Sequence, residues 1–126
     1  THEHSDHIQG LGVFSRKYGI PVYATKGTLK GIMEYRSLGK MPEGLLHEIQ
    51  TDTDFLLGDL RVHPLLYPRR LRAFRIPDRL RGKTVAVATD LGIYDAYTVE
   101  NLKNLDAVLL EANHDIHMLE VGLSIR

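Results

Sequence analysis

Cysteine and tryptophan are both absent from the 126 residues, and net charge is absent too, with 16 Lys+Arg set against 16 Asp+Glu. Without cysteine there is no disulfide framework and no thiolate metal site, so any metal chemistry must use histidine and carboxylates. No apolar run approaches the roughly 18 to 20 residues that cross a bilayer. The N-terminus also lacks the basic-then-apolar order of a secretory signal, which leaves a cytoplasmic protein as the expectation. What is present, 43% hydrophobic and 25% charged residues, fits a single folded domain rather than a disordered tail. Methionine is missing from the first position, and Thr1 runs straight into a dense polar cluster, which reads as a chain starting in mid-domain.

The zero charge conceals an asymmetry. Seven cations and one acid, Asp78, lie between Arg69 and Lys83, leaving nine cations against fifteen acids elsewhere. Apolar periodicity predicts a helix over 7–18 that ends at Gly19, then a short buried strand over Pro21–Ala24. Thr25 is a candidate N-cap for a helix carrying Leu29, Ile32, Met33 and Leu38. Leu45–Gln50, Phe55–Leu57 and Leu60–Leu66 read as strands, the last two joined by a turn at Gly58-Asp59. Residues 67–82 show poor periodicity. Thr84–Thr89 is the strongest strand pattern, Asp95–Asn104 reads as a helix and Ala107–Leu110 as a further buried strand. Alternation of strand and helix argues an α/β fold.

The chemistry concentrates in Thr1-His2-Glu3-His4-Ser5-Asp6-His7. Three imidazoles and the Asp6 carboxylate, all within six residues, converge only if the loop turns through a metal. His2 and His4 alternate on an extended segment, and Asp6 and His7 fall on the first turn of the following helix. Two ligand pairs from one loop can serve two ions, and imidazole nitrogen suits Zn, Mn, Fe or Ni. A surface histidine cluster or the remnant of a tag is the plain alternative, but a tag is homopolymeric and does not lead into an amphipathic helix.

The string resembles the metallo-β-lactamase-fold hydrolases. Further segments resemble their WalJ/YycJ-like branch: His4–His7 leading into Gly10–Val13, Lys17–Ala24, Val87–Gly92 and Leu109–Asp115. The resemblance implies a partial αββα sandwich, with residues 1–126 forming a single incomplete domain. It also implies a two-metal phosphodiesterase or nuclease, with Zn or Mn as the ions and DNA or RNA as substrate for a metal-activated water. On this resemblance His2 and His4 match the ligands of the first metal, and Asp6 and His7 those of the second. Asp6 also orients the nucleophile, and Asp90 matches the carboxylate that bridges both ions. Asp90 independently suits that task, standing at a strand end next to a glycine turn. Asn113 and His114 are candidates for a supporting role behind the ligands.

Two histidines of the family pattern are missing, one after the strand at 60–66 and one near the C-terminus. His63 falls too early and reads as structural, and His47 as an exposed strand residue. A codon-level cause fits the first gap: His-Asp-Ala-Ser-Glu-Pro shifted by one base spells Pro-Arg-Arg-Leu-Arg-Ala, the sequence of residues 68–73. Restoring it changes the formal charge to about −5. The end of the chain, residues 123–126, reads as a second shift. A metal-dependent hydrolase is the leading reading; an incomplete chain left inactive by the missing ligands is a second, and a non-catalytic nucleic-acid-binding protein using the basic segment 69–83 is the alternative.

Overall fold

The computed structural model describes residues 2–42, 44–67, 70–77, 82–91 and 95–111. The chain opens with α1 (Ser5–Ile8) and α2 (Leu11–Tyr18), two helices where the periodicity predicted one. Gly10 lies at their junction and caps the second helix. Glycine costs up to about 1 kcal/mol inside a helix, so the apolar rhythm survives a break that the backbone prefers. Gly19 ends α2 in the left-handed conformation, φ 64°.

Next come β1 (Val22–Ala24), α3 (Lys26–Glu34) and a 3-10 turn over Arg36–Leu38. The Thr25 hydroxyl accepts the Thr28 N–H and so caps α3. Leu38 stands outside that helix and Met33 is exposed, but Leu29, Ile32 and Leu38 join Ile8, Val22 and Ala24 in one buried cluster. β2 (Leu46–Glu48) pairs parallel with β1, Tyr23 opposite His47.

The second sheet has the order β3 (Phe55–Leu57), β4 (Leu60–Tyr67), β5 (Arg70–Pro77), β6 (Thr84–Ala88), β7 (Ala107–Leu110). Its pairs are antiparallel as far as β6, and β7 joins parallel. The basic segment is therefore in part a strand: backbone pairing to β4 and β6 on both sides holds residues 70–77 extended despite their poor periodicity. β7 also departs from expectation. Its four residues are exposed, Leu109 at 65%, because hydrophobicity along a strand does not by itself say what covers it.

The two faces of β4 divide the packing. Val62 and Pro64 share one face, the face of Phe55, whose ring stacks on Tyr23 of the smaller sheet at 5.4 Å between centroids. Leu65 points the other way and packs with Ala88, Leu91 and Leu102, the last directly after α4 (Ala96–Asn101). Helices, small sheet, large sheet and α4 thus form part of an αββα arrangement. None of the described helices is long and apolar enough to cross a membrane.

Candidate metal centre

The first cluster of donors is built by one turn of chain. His4 is extended, φ −66° and ψ 148°, and α1 starts immediately after it. The His7 and Ile8 N–H groups donate to the His4 carbonyl at 3.0 and 3.2 Å, and Ile8 anchors the turn in the buried cluster. The chain folds back so that the His2 and His7 rings come within 4.4 Å, and His4 meets His2 edge-on at 4.1 Å. His2 is buried at 1% exposure, His7 half-buried, and His4 and Asp6 face solvent.

Asp90 arrives from the larger sheet, two residues beyond the end of β6. Its φ of 55° is left-handed, a conformation Asp tolerates better than most residues, and it persists only where neighbours enforce it. Here they do. The Glu111 N–H donates to the Ala88 carbonyl at 2.9 Å, and the Leu91 N–H to the Glu111 carbonyl at 3.1 Å, so the ladder with β7 clamps Asp90 from both sides. Its carboxylate lies 2.8 Å from His7 Nε2 and 3.5 Å from His2 Nδ1.

His2, His7 and Asp90 each offer a ligand atom within 4.8 Å of the others. Donors around a tetrahedral ion with bonds of about 2.0–2.2 Å stand about 3.3–3.6 Å apart. The 3.5 Å separation already matches, and the 2.8 Å contact needs an opening of about half an ångström. Two imidazoles and a carboxylate, with one ring inside the protein, are therefore a donor set that a divalent ion fits. The remaining expected ligands stand around this triad rather than in it. His4 touches the ring of His2, and the Asp6 carboxylate lies 3.5 Å from His7 Nε2 with its side chain 74% exposed. Asn113 and His114 lie outside the described residues. His63 is engaged by Asp54, Nδ1 to oxygen 2.6 Å, and the exposed His47 stacks on Tyr23.

Beside the donor loop lies a cavity of about 520 Å³, lined in part by Glu3, Thr25, Lys26, Thr28, Glu48 and Gln50. Nothing in the periodicity announces it, because it forms where the parallel strands β1 and β2 both end. The only signal available in the sequence is Glu3, placed between two ligand candidates.

Residues 1–122 match the family described as the Beta-lactamase superfamily domain. The chain belongs to that family. Among beta-lactamase superfamily relatives, it is 32% identical over 128 residues to exodeoxyribonuclease WalJ of Streptococcus pneumoniae serotype 2, strain D39. It is 34% identical over 140 residues to exodeoxyribonuclease YycJ of Bacillus anthracis. Each alignment covers 97% of this chain and 46% of the relative, so the chain spans about half the length of these proteins. The fold is similar to that of Zn2+-bound PqqB from Methylobacterium extorquens, with a TM-score of 0.69, 21% identity, and coverage of 98% of this chain and 45% of that one. A Cronobacter sakazakii metallo-beta-lactamase HARLDQ-motif mutant matches at a TM-score of 0.61 and 18% identity, over 97% of this chain and 57% of its own. The architecture is thus a partial metallo-β-lactamase fold.

Proposed function

We propose that this protein is a metal-dependent phosphodiesterase of the nuclease type, acting at the ends of DNA with two divalent ions, Zn or Mn. The observation that carries the reading is the convergence of His2 and His7 from the N-terminal loop with Asp90 from the far sheet. Two relatives named exodeoxyribonucleases, at 32% and 34% identity, support the substrate class. Residues 1–126 are taken as a single incomplete domain, on the ground that they span 46% of those relatives. A cytoplasmic location belongs to the same proposal, because DNA is its substrate.

When bound, divalent ions supply Lewis acidity, lowering the pKa of water and clamping phosphate oxygens. The protein's own part is positional. His2 and His7 would hold the ions through ring nitrogens, with His4, edge-on to His2, as the partner of His2. Asp90, fixed by the β7 ladder, lies within reach of both His2 and His7 and would hold the ions together with them. Asp6 is the exposed carboxylate at the rim, next to His7, where it can orient a water and accept its proton. The cavity at the ends of β1 and β2 reaches this loop at Glu3, between His2 and His4, and offers room for a ligand there.

The test is degradation of end-labelled DNA by the purified chain with Mn2+ or Zn2+. Release of mononucleotides that EDTA abolishes and Asp90→Asn removes is the expected result. DNA binding without any cleavage contradicts catalysis by this chain, and cleavage unchanged in Asp90→Asn contradicts the assigned site.

A further inference from the structure

The loop that carries His2 and His4 presses on α3 at a single residue. A Cβ placed on Gly31 would meet Glu3 Cγ at 2.6 Å and Glu3 Cβ at 2.7 Å. These are atoms at the root of the Glu3 side chain, which no rotation of its far end can move aside. Carbon atoms in contact rest about 3.5–4.0 Å apart, so a methyl group at position 31 requires a displacement approaching 1 Å. Which partner moves is decided by anchoring. α3 is fixed by the buried Leu29 and Ile32 and by its Thr25 cap, whereas Glu3 is only half-buried and sits at a bend before α1. The loop yields, and Glu3 carries the neighbouring His2 and His4 with it. A ligand constellation tolerates about 0.5 Å of misplacement, less than the shift required.

We infer that Gly31 is a positioning residue for the metal ligands: its missing side chain admits Glu3 against α3 and so sets where His2 stands relative to His7 and Asp90. The inference rests on the metal-dependent reading proposed above. It explains a local conflict, since a glycine inside a helix is otherwise unfavourable. Gly27 in the same helix supplies the control, because nothing lies within 4 Å of the place its Cβ would occupy.

The experiment compares Gly31→Ala, Gly27→Ala and the double variant Glu3→Gly/Gly31→Ala in the full chain. Melting of the metal-free proteins is followed by titration with Zn2+ alone. Gly27→Ala is expected to melt about 2–5 °C higher from helix propensity, with Zn2+ affinity unchanged. Gly31→Ala is expected to miss that gain and to lose Zn2+ affinity at least about tenfold. Glu3→Gly in the same chain restores much of it. Gly31→Ala that melts higher like Gly27→Ala, or binds Zn2+ as the parent does, overturns the inference. So does a poorly folded Gly31→Ala that Glu3→Gly fails to rescue. A parent chain that takes up no Zn2+ overturns the metal-dependent reading and the positioning role together; the melting comparison tells this apart from failure of the Glu3 contact alone.

Discussion

Asp90 joins two demands in one residue, a left-handed backbone and a carboxylate within reach of two imidazoles. Asp90→Asn keeps the shape and removes the charge. It is expected to lower divalent-metal affinity by more than the roughly 10–100-fold that supporting partners cost, as measured by calorimetric titration. Unchanged affinity would place the metal elsewhere. Tyr97 offers a second prediction at this scale. Burial first, and then its hydrogen bond to Asp52, push its phenol up to about 12 from an ordinary 10. Because the unfolded chain loses this proton first, the contribution is fully present below about pH 10 and is lost as the pH rises towards 12. Urea midpoints should therefore fall across that interval in the parent and fall less in Tyr97→Phe. Equal pH slopes would contradict the assignment.

The elements of the chain show what local sequence can and cannot specify. Thr25 reads as a cap, and its hydroxyl does cap α3; Thr25→Ala should cost about 1 kcal/mol in urea denaturation, and a loss near zero would show the cap to be idle. Caps and turns such as Thr25, Gly19 and Gly58-Asp59 are legible because their chemistry is local. β5 is not, since its extended form comes from the ladders of β4 and β6, which residues 67–82 do not encode in their own periodicity. Nor is the exposure of β7, whose apolar run looks like a core strand. The His-rich loop is legible because its donors are neighbours in the chain. Asp90, more than eighty residues away, stands out only through its strand-end position and a family resemblance, and the role of Gly31 depends on a contact that no spacing records.

Across the whole molecule, the described core includes two clusters, one beneath α3 and one beneath α4, and the donor site draws on both. Ile8 holds the His-rich loop to the first. Ala88 and Leu91 flank Asp90 from the second. The candidate site therefore depends on the docking of the two sheets, and loss of either cluster is expected to separate its donor side chains. The apolar β7 is the exposed side of this assembly. Leu109→Lys places a charge on a strand residue that is 65% exposed. It should leave folding stability within about 0.5 kcal/mol while reducing light scattering at high protein concentration. Scattering equal to that of the parent would mean that β7 does not drive association.

The central claim is that His2, His7 and Asp90 together form a divalent-metal site between the two sheets. Anomalous diffraction recorded above and below the zinc edge, from crystals of the full chain grown with Zn2+, tests it most directly. The expected result is zinc at this site, with His2, His7 and Asp90 each placing a ligand atom about 2.0–2.2 Å from an ion. A peak ligated elsewhere, or none at this site, would contradict it.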